Sequence, residues 1–268
     1  MSASSWETLR VESWGDFAAA IAETTTPHSV LVPTFFYRGQ PRDSWDLQTS
    51  IQRALGPLKD QKLALQLEDL ALREFREGAL PFLPPQLIPR TDHFVNWWPI
   101  MQHYGAPTRL LDWTASPYVA AYFACAEAPD CDGAVWTIEP TALQKHFKVH
   151  TRDITELVKS LREATQPQVL PFSSPVKTDR MIAQRGHFVA VAPLDVNVAD
   201  TLCTAHVESS QTELAHGRLI IPKDLKHVFL AQLRTMNITA ASLFPGLDGL
   251  GRSATDIVRL GSYEPPPI

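Results

Sequence analysis

The chain has 268 residues, 44% of them hydrophobic and 20% charged, with a formal net charge of −5. This is the composition of an ordinary globular protein with a substantial core, in one large domain or two small ones. The acidic balance excludes a general affinity for nucleic acid or anionic membrane, leaving at most a local basic groove near Arg38, Arg42 and Arg53.

Cys125, Cys131 and Cys203 are odd in number and form no CxxC, which argues against a disulfide framework or a zinc knuckle and for a reduced, cytoplasmic compartment. The first residues lack a basic region followed by an apolar run, so no signal peptide is expected, and no apolar stretch reaches the roughly 18 residues of a membrane span. There is no internal repeat. One compact domain over 1–268 is expected, with a helical insertion at about 45–103 and a core at about 14–44 and 104–260.

In chain order, Ser13 caps a first helix over 13–23, with Trp14, Phe17, Ala18 and Ile21 on one face. Val30 to Tyr37 is an apolar, β-branched and aromatic run that predicts a buried strand, ending in Arg38-Gly39-Gln40-Pro41. Gly39 permits close approach of another group to the backbone. Arg38 offers a planar fork of donors matched to phosphate or carboxylate, or alternatively a salt bridge at a sheet edge. Trp45 to Leu55 is partly helical, and Lys59 to Glu77 is a helix whose stripe of Leu63, Leu67, Leu70 and Phe75 is expected to pack in the core. The prolines at 81–89 stop it; Asp92 caps a shorter helix carrying Phe94, Trp97, Trp98 and Met101.

The richest stretch follows, Gln102 to Pro117. Gly105 and Pro107 mark a turn, Arg109 to Thr114 can run as a strand, and Ser116-Pro117 is a helix start, with Ser as N-cap and Pro in the first turn. Arg109, Asp112, Trp113 and Thr114 therefore sit where a buried strand hands over to a helix containing Tyr122. They form either a ligand site or a buried ion pair that fixes a corner of the fold.

Beyond it, 134–138 is a strand, 151–163 a mixed-charge surface helix, 166–175 a Pro/Ser loop, 187–191 a strand and 219–221 a short strand. Pro222 opens a helix striped with Leu225, Val228, Phe229, Leu233 and Met236 and closed by Asn237. Residues 242–249 form a turn, and Ser253 caps a last short helix. His146 and His150 share helical spacing but have no third ligand in view. Strands mixed with helices, without regular βαβ alternation, predict an α+β fold.

Four segments together resemble the FRG domain family: "FYRGQ" at 36–40, "QHYGAPTRLLDWTASPYVAAYFA" at 102–124, "RMIAQRGHF" at 180–188 and "SLFPGLDGL" at 242–250. The resemblance runs from about residue 14 to 258. That family in turn is similar to the ADP-ribosyltransferase fold, which implies a mixed or antiparallel sheet core with a helical insertion and NAD as the substrate that serves as cofactor. On this resemblance Tyr37, Arg38 and Gly39 match the strand end that holds NAD, and Asp112-Trp113-Thr114 takes the place of a Ser-Thr-Ser strand. Tyr104, Trp113 and Tyr122 are candidates to stack on nicotinamide, and Arg109 and Thr114 complete the candidate binding set. No carboxylate stands at 180–184, where the transferase glutamate would fall; Asp112 is the candidate replacement and Gln184 a hydrogen-bonding substitute, while Gln211-Thr212-Glu213 has a Gln-any-Glu spacing in a Ser/Thr loop.

Cleaving the nicotinamide–ribose bond develops an oxocarbenium-like cation that a carboxylate stabilises, as in glycoside hydrolysis. The resemblance thus implies an NAD-dependent ADP-ribosyltransferase, a toxin or phage-defence effector with a protein or nucleic-acid acceptor and an antitoxin or other partner. The missing glutamate supports a second reading, a binding module of the same shape that does no chemistry.

Overall fold

A computed structural model describes residues 6–24, 34–89, 93–149, 154–174, 176–209 and 217–262. Within them lies a seven-stranded mixed sheet with twelve α-helices, an α+β architecture as expected. The strands are β1 (Thr8–Arg10), β2 (Phe36–Gln40), β3 (Leu110–Thr114), β4 (Gly133–Ile138), β5 (Gln168–Phe172), β6 (Gly186–Ala192) and β7 (Arg218–Ile221). Their order is β1-β7-β4-β2-β3-β6-β5, antiparallel except for the parallel β1–β7 pair.

The helices before β3 are α1 (Trp14–Thr24), α2 (Ser50–Leu55), α3 (Gln61–Ala79) and α4 (Trp98–His103). Then come α5 (Pro117–Cys125), α6 (Pro140–Phe147), α7 (Ile154–Glu163), α8 (Asp179–Ala183) and α9 (Val198–Ser209). The last three are α10 (Lys226–Thr235), α11 (Ala240–Leu243) and α12 (Leu247–Gly261). Central strands β2 and β3 adjoin in the sheet, yet α2, α3 and α4 intervene in the chain between them.

Three expectations are corrected. Residues 168–172, read as loop because of Pro167 and Pro171, form β5 at the sheet edge, where a proline's missing N–H is tolerated. The stripe Leu63, Leu67 and Leu70 of α3 is 40%, 40% and 53% exposed, and the helix instead buries Ala64, Glu68 and Leu72. Ser253 does not cap a helix; it lies inside α12, which begins at Leu247. The predicted strand residues 30–32, Asp92, His150 and the 211–213 run lie outside the described residues.

The core sets the position of the site. Side chains alternate across a strand, and paired residues share a face. Tyr37 pairs with Thr114, so Tyr37, Thr114, Asp112 and Leu110 face one side. That side carries two separate apolar clusters. One joins Tyr37 to α1, α5, α10 and α11 through Phe17, Ala120, Phe229 and Leu243. The other joins Leu110 to α4 and α7 through Trp98, Met101, Leu157 and Leu161. Asp112 falls between them and is exposed. The opposite side holds a third cluster, with Phe36, Leu111, Trp113, Trp136 and Leu202.

Candidate functional site at the parting of two central strands

β2 and β3 share a single register pair, Tyr37 with Thr114. Beyond it they part, although β2 stays fully paired with β4 and β3 with β6. Arg38 spans the gap, its Nη1 donating to the Asp112 backbone carbonyl at 2.7 Å. A cavity of about 210 Å³ opens there, lined by Tyr37, Arg38, Gly39, Asp112, Trp113, Thr114, Phe123, Arg180 and Gln184.

Each element places its residue for a local reason. Ser116 caps α5 by accepting from the Val119 N–H, and Pro117 starts the helix where no N–H is required. The Thr114 hydroxyl accepts from the Ser116 N–H at 3.0 Å and donates to the Gln184 carbonyl at 2.7 Å, joining strand end, helix start and the α8–β6 turn. A Cβ on Gly39 would fall on the Ala120 carbonyl oxygen and 2.8 Å from the Ala124 nitrogen. The close approach anticipated at Gly39 is thus made by α5 itself.

The chemistry is that of an anion-binding slot with one carboxylate. Burial pushes the Arg38 guanidinium below its ordinary pKa; Asp112 opposes the shift and Arg53 adds to it. Arg38 Nε and Trp113 Nε1 are buried donors without a partner among the described residues, and both residues line the cavity. Buried N–H groups are ordinarily satisfied, so two orphaned donors at one cavity suit an acceptor-rich ligand. Asp112 is the single carboxylate lining this cavity among the described residues. Its Oδ2 accepts from Gln102 Nε2 at 3.0 Å. Burial also lowers the pKa of Arg180, with Asp112 again opposing.

Arg38, Asp112 and Gln184, the candidate catalytic residues, are therefore brought together, as are Tyr37, Gly39, Trp113 and Thr114. Three others are not. Arg109 is fully buried, its Nε donating to Glu68 Oε1 at 2.7 Å and its Nη2 to Glu68 Oε2, with Trp98 at 5.2 Å from its guanidinium. This is the ion-pair alternative, with Glu68 of α3 as the partner in place of Asp112. Tyr104 is half-exposed in a neighbouring lobe of about 390 Å³ beside His103 and Thr178. Tyr122 is buried and donates its hydroxyl to Asp256 Oδ2 at 2.9 Å, in a different lobe. Arg180, Phe123 and Gln102 were not named as site residues, although Gln102 and Phe123 lie in the 102–124 segment and Arg180 opens the 180–188 segment. Among the described residues no three His, Cys, Asp or Glu gather as a metal set, and α6 ends at Phe147, short of continuing the spacing from His146. None of the helices among the described residues is long and apolar enough to cross a membrane.

No curated protein and no solved structure matches the chain. Residues 33–133, which hold β2, β3, α5, Arg38 and Asp112, match the model of the FRG domain family; the segments at 180–188 and 242–250 lie outside that match.

Proposed function

We propose that this cleft binds NAD and that the chain transfers ADP-ribose from it to a macromolecular acceptor, on a sheet of the ADP-ribosyltransferase type. The observation that carries the reading is the convergence of Arg38 and Asp112 at one cavity where two central strands part. The residues fit the dinucleotide: Arg38 and Arg180 suit its pyrophosphate and ribose oxygens, with the orphaned Arg38 Nε awaiting an acceptor. Tyr37, Trp113 and Phe123 supply apolar and aromatic wall for the nicotinamide.

NAD supplies an electrophilic ribose C1′. Its bond to the nicotinamide nitrogen breaks with both electrons leaving on nicotinamide, the acceptor nucleophile forms the new bond to C1′, and the acceptor's proton passes to water. Asp112 would stabilise the cation that develops on the ribose, the kind of electrostatic contact whose loss costs about 3–4 kcal/mol. Thr114 and Gln184 hold the floor of the slot through their mutual hydrogen bond.

The test is nicotinamide release from NAD by purified protein, with cell extract as acceptor source. Arg38→Ala is expected to reduce release by about 100-fold or more while the protein still melts cooperatively. Normal release from a folded Arg38→Ala protein would overturn the assignment. The second reading, a nucleotide-binding module without turnover, is favoured by one observation: the Gln184 amide is engaged with the Leu243 carbonyl at 3.1 Å and carries no charge. NAD binding without nicotinamide release would establish it.

A further inference from the structure

The cavity between β2 and β3, at about 210 Å³, is smaller than the roughly 300–1,000 Å³ typical of sites for drug-sized ligands. A dinucleotide must extend out of it. Two lobes adjoin. Among the described residues, the one beside His103 and Tyr104 shares only Arg180 with the inner cavity. The other, about 480 Å³ between α5 and α12, shares Gly39, Phe123 and Arg180, so it opens to the inner cavity along a broader front.

This second lobe has the features a nucleoside phosphate needs. The guanidinium groups of Arg180 and Arg252 each lie 4.7 Å from the centre of the Phe244 ring, so one aromatic ring holds two cations at the lobe's wall. Arg252 is also anchored by Asp248 at 3.1 Å, one helical turn earlier. Of the lobe's two carboxylates, Asp256 is engaged by the Tyr122 hydroxyl, and Glu127 is exposed. Trp45 lines the lobe and stays 49% exposed, an aromatic face of the kind on which a base stacks. In the third lobe Lys177 and Arg180 are balanced by Asp179 and Asp248.

We propose that the lobe between α5 and α12 is the subsite for the adenylate half of the dinucleotide. Arg180 and Arg252, braced on Phe244, hold its phosphate, and the base stacks on Trp45. Arg180 lines all three spaces and stands at their junction, which leaves the lobe beside His103 and Tyr104 free for the acceptor. The assignment of halves rests on the NAD reading above; the claim that the lobe takes a nucleoside 5′-phosphate does not.

Calorimetric titration with 5′-AMP, nicotinamide mononucleotide and NAD tests it, on wild type, Arg252→Ala and Trp45→Ala. Both residues are about half exposed, and retention of the wild-type melting temperature verifies folding. Each substitution is expected to weaken 5′-AMP and NAD by about 10-fold and to leave nicotinamide mononucleotide unchanged. No 5′-AMP binding by wild type, or unchanged affinity in both variants, would overturn the subsite. If wild type binds 5′-AMP through Arg252 and Trp45 but neither NAD nor nicotinamide mononucleotide, the subsite stands and the NAD reading of the inner cavity falls.

Discussion

Asp112 is the one exposed residue of the otherwise buried β3, and its carboxylate is held by Gln102 from the end of α4. The Thr108 hydroxyl accepts from the Leu110 N–H and donates to Gln102 Oε1, which turns the other end of the amide, Nε2, toward Asp112 Oδ2 and the Leu110 carbonyl. Gln102 thereby acts as a positioning residue for the proposed stabilising carboxylate. Gln102→Leu is expected to cut nicotinamide release roughly 10-fold, since a displacement well under 1 Å at a reacting group already costs rate. Gln102→Glu would replace the donor to Asp112 with a like charge and is expected to cut release at least as much. Wild-type turnover in both variants would show that Asp112 needs no such support. At this scale Arg38 and Asp112 were legible from residue type and placement, whereas Arg109 was not. Its surroundings in sequence admit either a ligand or an ion pair, and what decides is Glu68, 41 residues earlier on a helix whose apolar periodicity pointed to the wrong face.

At the scale of elements, the site depends on how closely α5 lies against the sheet. Gly39 on β2 and Gly133 on β4 both meet the backbone of α5, at Ala120 and Ala124 respectively, and a Cβ at either would fall on a carbonyl oxygen. Rigid backbone cannot yield as a side chain can. Gly39→Ala is therefore expected to destabilise by about 3 kcal/mol or more, the upper range for overpacking, and to lower the melting temperature by roughly 6–12 °C. Gly78→Ala in α3, where an added Cβ meets nothing within 4 Å, should be neutral or stabilising by up to about 1 kcal/mol, from helix propensity alone. Equal melting temperatures for the two variants would refute the close-packing account. The sequence marks Gly39 as a place of close approach, but the approaching partner is a helix 81 residues further on by number, which local pattern does not disclose. The same limit hid β5: Pro171 argues against a strand until the sheet order shows that the strand is an edge. Conversely β3, β4, β6 and β7 were visible as short, mostly apolar runs, because a strand covered on both faces has few polar positions to interrupt it, whereas the apolar run read at 30–37 meets β2 only at Phe36 and Tyr37.

Across the whole molecule, acid should act through histidines that the fold keeps neutral. His187 lies on β6 opposite Trp113 and stacks on Phe36, with ring centres 4.1 Å apart. Burial first, then Lys177 and Arg185, push its pKa down to about 4 from an ordinary 6.5. His103 and His227 are lowered as well, each chiefly by burial. A histidine with a depressed native pKa binds its proton more readily in the unfolded chain, so its contribution to stability is complete above pH 6.5 and is lost as pH falls toward 4. The melting temperature is therefore expected to fall between pH 6.5 and pH 4, in addition to any loss from carboxylates lower in that range. His187→Phe retains an aromatic ring for Phe36 and removes the proton site, so its melting temperature should depend less steeply on pH over this window. The two curves should converge or cross as pH falls, because the wild type alone carries the penalty. Parallel curves from pH 7 to pH 4 would mean that His187 titrates alike in the folded and unfolded chain. Since β3 pairs with β6 at every one of its residues, including Asp112 with Phe188, protonation of His187 bears on the strand that carries the site. Nicotinamide release at pH 5 should consequently fall faster with rising temperature in the wild type than in His187→Phe.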